Sequence, residues 1–474
     1  MPLKQFTIDF MELGKEKSFR YDVDFLNFQN DFLAERFYSF NDLFTFASEN
    51  KVDVEKLDDD FFYSEIGDVS KEGDVEPVKL NFNDRKEVEE NYYKKIEKGD
   101  IIKVKENEIL LSKVRPNLKK YVFINKNNKD YFYTSAFIHL VPKKLNKILY
   151  YSFRTIFSPN LNAISRQGKG YPTLKEDDFL NLKFDKKAID KLSAKQDQII
   201  AQIEPIEKKI KELKNQIIPA QEIINKVFAR EFKFDSEKFE ELKKIKNYYL
   251  DLSAFANNKD VRQSVKFHRE AGIFVIKQLE NITDKKIKNY LAESIVLGKG
   301  VSPANYDDNG GYFYISMANI KNWKFESEDA RLVSKEYSDN NRNKTVSKED
   351  ILIARSGEGT IGKVALIDDE DLQGIFADFT MRIRLASYNP LFAYYYFRTD
   401  YFQYLVEVNK KGLGNNTNIF PSQIQEFPMI DISLKDQQKI VDEIKLEIDK
   451  QEEMKQKIQA ERNKINEIIE KVVA

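Results

Sequence analysis

With 474 residues, 41% of them apolar and 33% charged, the chain is long enough for two to four domains and a sizeable core. Lys+Arg at 77 against Asp+Glu at 78 leaves a net charge of −1, so contact with a polyanion would have to come from local basic patches. Cysteine is absent and histidine occurs only at His139 and His268, which excludes disulfides, thiolate or His-rich metal sites and a cysteine nucleophile.

The opening MPLKQFTIDF, interrupted by the acidic Asp9, does not carry the basic and then apolar run expected of a secretory signal. No apolar stretch approaches membrane-spanning length, so a cytoplasmic protein is expected. The first globular stretch, 1–188, holds short aromatic and β-branched runs such as FFYSEI, YVFINK and YFYTSAFIHLV, which predict strands. NKILYYSFRTIF predicts a helix among them. His139 falls on the less apolar face of its strand and reads as structural, as does His268.

Over 189–230, apolar residues fall at Ile199, Ile203, Ile206, Ile210, Leu213, Ile217, Ala220, Ile224 and Val227, the alternating spacing of a heptad seam. Pro205 and Pro219 are expected to kink this helix or to mark helix starts. A connector, 231–261, opens the second globular stretch, which runs to 432 and contains the strand-like runs YFYISMANI and ILIARS. Its RSGEGTIGKV has the GxGxxG spacing of a phosphate-cradling loop. The context is wrong for a kinase: ALIDDEDL, just beyond, has no lysine, FHRE precedes the loop, and DFT is only an echo of DFG. It is equally wrong for a dinucleotide fold, because strand, acidic bend with Gly374 and strand follow where a helix is needed. NPLF, 389–392, resembles the adenine methyltransferase tetrapeptide, yet reads better as a turn entering a helix. Trp323, the only tryptophan, is expected in the core. The chain closes, 433–474, with a second seam: Ile444, Ile448, Gln451, Lys455, Ile458, Arg462, Ile465, Ile469 and Val472.

The chain also repeats itself. KENEILLSKVRPNLKKYVFI (105–124) lines up with SKEDILIARSGEGTIGKVALI (347–367), YYSFRT with YYYFRT, FYSEIGDV with FYISMANI, YPTL with FPSQ and SAKQDQII with SLKDQQKI. RYDVDF (20–25) matches RQSVKF (262–267) weakly. Six matches in one order at nearly constant separation predict two copies. The loop of copy one, KVRPNLKK, has cations and no glycine, so glycine spacing is not what the copies share. The expected fold is α+β: two globular domains related by pseudo-two-fold symmetry, separated by two long antiparallel coiled-coil helices.

The duplicated halves, the helix starts KLSAKQDQIIAQI and DISLKDQQKIVDEI, and the segments ILIARSGEGTIGKVALI and KKGLGNNTNIFPSQIQEFPM resemble a specificity subunit of a type I restriction–modification enzyme. Copy one departs from the family pattern in its loop and in RQGKGYPTL. The resemblance implies two target-recognition domains, each reading half of a bipartite duplex DNA target, with the helices setting the unread spacer. It implies a subunit without catalytic activity that holds no cofactor. Two modification subunits would bind S-adenosylmethionine and methylate adenine, and up to two ATP- and Mg-dependent restriction subunits would complete the assembly. Candidate DNA contacts are Lys113, Arg115, Lys119, Lys120, Arg166 and Lys169 in copy one. In copy two they are Arg355, Lys363, Lys410, Lys411, Asn415, Asn416 and Thr417, with Asn319 as either a second base reader or a strand-end residue. A coiled-coil adaptor without DNA, and a nucleotide-binding enzyme using Gly357, Gly359 and Gly362, are the competing readings.

Overall fold

A computed structural model describes residues 36–47, 52–54, 57, 60–85, 89–167, 172–245, 247–256, 262, 264–357, 359–412 and 417–474. Lys169, Asn415, Asn416 and the weak match at 20–25 lie outside the described residues. The chain divides into two compact units, Met1–Gln216 with Lys455–Ala474, and Ile217–Met454. These divisions fall inside the expected spacer segments, and the expected spacer start at 189 falls inside a helix, Lys186–Ala194.

In the first unit we label the strands β1 (Phe44–Phe46), β2 (Phe61–Ser64), β3 (Val78–Leu80), β4 (Ile102–Lys103), β5 (Ile109–Ser112), β6 (Tyr121–Phe123), β7 (Phe132–Tyr133) and β8 (Phe137–Pro142). They form two sheets of order β1-β8-β5-β6 and β3-β2-β7-β4. A short ribbon, β9 (Arg166–Gln167) with β10 (Pro172–Thr173), follows helix α1 (Asn146–Arg154). Central β5 is ILLS, buried at every residue, which is why it is an apolar run and not an alternating one. Phe44, Phe153 and Phe184 meet in the core, with ring centroids 5.4 to 6.1 Å apart. Helix α2 (Gln196–Lys214) continues through Pro205 without ending there.

The second unit starts with helix α3 (Ala220–Phe232), for which Pro219 is the N-cap residue. Here Pro219 does mark a start, and Ile217 lies in the break before it, in neither helix. The strands of the unit's two larger sheets are β11 (Val296–Leu297), β12 (Tyr312–Ile315), β13 (Arg331–Val333), β14 (Ile351–Ala354), β15 (Val364–Leu366), β16 (Gly374–Phe376) and β17 (Thr380–Ile383). Their sheets have the orders β11-β17-β14-β15 and β13-β12-β16.

The four-stranded sheet repeats that of the first unit strand for strand, and the three-stranded sheet repeats the other without a counterpart of β4. Antiparallel β5 and β8 pair Leu110 with His139, and β14 and β17 pair Leu352 with Arg382. β2 runs parallel to β7 with Tyr63 opposite Phe132, as β12 runs parallel to β16 with Tyr314 opposite Ile375. Gly374 sits in this parallel strand and not in the expected bend. A Cβ there would come within 2.6 Å of the Ile315 side chain, so close packing against β12 explains the glycine. Helices α4 (Pro390–Arg398) and α5 (Asp400–Asn409) follow, and Phe228 of α3 packs 5.3 Å from Phe392. Trp323 is partly buried against this core.

The last helix, α6 (Leu434–Val473), belongs to both units in turn. In the second unit Arg230 meets Glu443 at 2.6 Å and the Gln451 Oε1 accepts from the Ile218 amide at 2.9 Å, so α3 and α6 run antiparallel. In the first, Lys209 pairs with Glu461 at 2.6 Å and Lys191 donates to the Val473 carbonyl at 2.8 Å, again antiparallel. Ile199, Ile203 and Ile210 are buried on α2, as are Ile444, Gln451, Ile458, Ile465 and Ile469 on α6. Ile206, Leu213, Ile448 and Val472 are half-buried. Two predicted seam positions shift: Lys455 is exposed while neighbouring Met454 turns inward, and Glu461 is buried more deeply than Arg462. Charge explains both, since Lys455 gains nothing from burial whereas Glu461 is held by Lys209 and Lys464.

Candidate nucleic-acid interface

In each unit the loop that follows the central strand is pinned by two distant segments. In the first, the Lys113 amide donates to Ala136 O at 3.0 Å, and the Lys113 carbonyl accepts from the Leu174 amide at 2.8 Å. In the second, the Arg355 amide donates to Phe379 O at 3.0 Å, and its carbonyl accepts from the Ile419 amide at 2.9 Å. Lys113 and Arg355 are therefore structurally equivalent. Around them the fold gathers candidates that are far apart in sequence. Val114 bridges to Thr173 beside Arg166 on β9, and Ser356 bridges to Asn418, which also pairs with Lys411.

The backbone explains the glycines of copy two. Arg115 and Lys119 have φ of +50° and +54°, while Gly357 and Gly362, which follow the same strand, have φ of +88° and +85°. The loop needs left-handed turns at both ends. Copy two meets that need with glycine, and copy one meets it with strained cationic residues. The loop joins antiparallel β14 to β15, and none of its described residues begins the helix that a bound phosphate would need.

The cations divide into two kinds. Arg166 grips the fully buried Asp178 through Nε, 2.9 Å from Oδ1, and through Nη2. Lys119 donates to Arg154 O at 2.9 Å, and burial, helped by the Arg154 charge, holds its pKa below the usual lysine value. Lys120 donates to Ile66 O at 2.9 Å, and burial depresses its pKa as well. The buried Lys410 ammonium meets Glu407 at 2.8 Å. Each of these four is tied to a carbonyl or carboxylate of its own unit. Lys113 is engaged more loosely, with Ser135 O at 2.9 Å and Glu176 at 3.6 Å. Arg115 is exposed, and Lys363 and Arg355 are half-exposed. Thr417 is buried, with its carbonyl accepting from Ser356 Oγ.

Asn319 is a buried capping residue. Its Oδ1 accepts from the Ser316 amide at 3.0 Å, just as Asp68 accepts from the Glu65 amide at 2.7 Å in copy one. Glu108 and His139 meet at 2.6 Å, His268 is fastened to Arg262 O, and Asn389 caps α4, so the NPLF tetrapeptide is a helix start. Sequence reasoning passed over Phe379 and Phe420. Both rings are exposed and lie within 6 Å of the Arg355 guanidinium, at 5.8 and 5.6 Å. Among the described residues no group of acids and histidines could hold a metal ion. None of their helices is long and apolar enough to cross a membrane.

A family model, the type I restriction modification DNA specificity domain, matches residues 263–463. No curated protein matches the sequence. Among solved structures, the chain is similar at 13% identity to an HsdS subunit from Thermoanaerobacter tengcongensis, covering 92% of this chain and 96% of that one, TM-score 0.30. A type I restriction–modification S subunit from M. genitalium matches at 12% identity over 92% and 95%, TM-score 0.35. A third match, at 12% identity over 92% and 97% with TM-score 0.36, comes from work on complex assembly and conformational transition of the type I R-M system.

Proposed function

We propose that this chain, whose residues 263–463 match the type I restriction modification DNA specificity domain, is a DNA-recognition subunit without catalytic activity, and that each unit reads one half of a bipartite duplex target. The supporting observation is the repeated architecture, in which the same four-stranded sheet carries the same pinned loop at Lys113 and at Arg355. Two equivalent heads on one chain suit two half-sites, whose separation the protein then fixes geometrically. In this reading the helices set the spacer and dock two modification subunits in the cytoplasm. Those subunits bind S-adenosylmethionine and methylate adenine, and restriction subunits using ATP and Mg join where the system includes them. This chain holds no cofactor. Arg115, Lys363 and the basic loops position the heads on phosphate, while side chains reaching base edges give sequence.

The test is binding and methylation by the chain assembled with its modification subunits. Methylome sequencing defines the target, and electrophoretic mobility on target and scrambled duplexes measures the preference. Arg355→Ala is expected to weaken recognition of one half-site only. Equal loss at both halves, or no loss, would contradict the two-head reading. A coiled-coil adaptor without DNA would show no preference for any duplex.

A further inference from the structure

Arg355 is held in an unusual way. Its backbone is hydrogen-bonded on one side to Phe379 and on the other to Ile419, the neighbour of Phe420. The rings of those two phenylalanines are 44% and 38% exposed, and its guanidinium lies 5.8 and 5.6 Å from their centroids. Its Nε is buried with no acceptor among the described residues. Arg166, Arg382 and Arg384 each have a carboxylate beside them, whereas Arg355 has none among the described residues. Two neighbouring hydroxyls, Thr380 Oγ1 and Thr417 Oγ1, are likewise buried without partners among the described residues. The equivalent position in the other unit has neither ring, since Ala136 stands where Phe379 is and Lys175 follows Leu174 where Phe420 follows Ile419. There the cation is a lysine turned onto Ser135 O.

We propose that Phe379 and Phe420 are positioning residues that hold the Arg355 guanidinium as a rigid fork for a guanine in one half-site. The inference rests on the DNA-recognition reading above. Aromatic faces attract a guanidinium and restrict its rotation, so little freedom is lost when its outer edge forms two hydrogen bonds. Guanine N7 and O6 in the major groove accept such a planar pair. A phosphate contact needs only a charge and no orientation, and the lysine of the other unit would serve it. Two exposed phenylalanines beside a cation that has no carboxylate among the described residues have no evident use in folding, but they give this head a base preference that the other lacks.

The experiment uses the complex with its modification subunits and selects from random-sequence duplex DNA. Wild type is compared with Arg355→Lys, with the Phe379→Ala/Phe420→Ala pair, and with the milder Phe379→Leu/Phe420→Leu pair. The expected result is a guanine preference at one position of one half-site. Arg355→Lys should lower it on the order of 10- to 100-fold, and the ring variants should lower it by a smaller factor. The other half-site should keep its preferences, which also reports that the variant is folded. Unchanged base preferences in Arg355→Lys and in both ring pairs would overturn the inference. So would a loss shared by both halves, or uniform weakening of all sequences with a salt slope reduced by about one. If wild type selects no sequence at all, the recognition function itself fails. A bipartite selection that ignores these variants removes only the guanine fork.

Discussion

Asn389 shows how one side chain fixes a local decision. Its Oδ1 accepts from the Leu391 and Phe392 amides at 3.0 and 3.1 Å, and its own amide donates to Gln437 at 2.8 Å. Asn389→Ala removes the cap of α4 and should cost about 1 kcal/mol. Urea unfolding should show this as a lower midpoint at unchanged slope. Asp74 carries a larger role, because it meets both Lys214 at the end of α2 and Arg462 of α6. Burial pushes its carboxyl up, but the two cations outweigh that and hold it below the ordinary value. A carboxylate held low adds stability above its unfolded pKa of about 3.9, and that stability is lost as pH falls through the lower folded value. Asp74→Asn should therefore destabilise the first unit at pH 7 by about 1–2 kcal/mol, a modest figure because the side chain is partly exposed. The gap between wild type and variant should close as pH is lowered below 4; a gap that stays constant would show that the charge is not the source.

At the scale of elements, the helices were the most legible part of the sequence. The 4-3 spacing identified the buried face of α2 and of α6, and Ile444, fully buried, is its best test. Ile444→Ala should lower stability by about 3 kcal/mol, measured by the same urea titration. An effect near zero would mean that the seam is not packed. The spacing did not reveal that α2 runs through Pro205, or that Met454 and Glu461 take places read as Lys455 and Arg462. A heptad pattern names a stripe, whereas the ion partners on the facing helix decide which of two adjacent residues turns inward. Strands were legible as runs, and the parallel pairings β2 with β7 and β12 with β16 were not, because residues far apart in sequence form them. The candidate contacts show the same limit. Lys119, Lys120, Arg166 and Lys410 look like free cations in the sequence, but each binds a carbonyl or carboxylate of its own unit.

For the whole molecule, duplication is the organising fact. On the proposed two-head reading, replacing the head around β11 to β17 by that of a type I specificity subunit should change one half of the methylated target and leave the other half and the spacing unchanged. Methylome sequencing reads the outcome directly, and a change in both halves would show that the heads do not act separately. The repeat was visible because matched runs kept their order and separation, and the four-stranded sheets bear it out, β11-β17-β14-β15 in one unit repeating β1-β8-β5-β6 in the other. By itself, the sequence determined the two copies, the α+β class, the heptad faces and the family resemblance, since each is carried by residue types at fixed spacing along the chain. Only the tertiary structure decided which cations are internal ties. Only there do Arg355, Phe379 and Phe420 come together, because strand pairing joins segments whose sequence separation carries no mark of their contact.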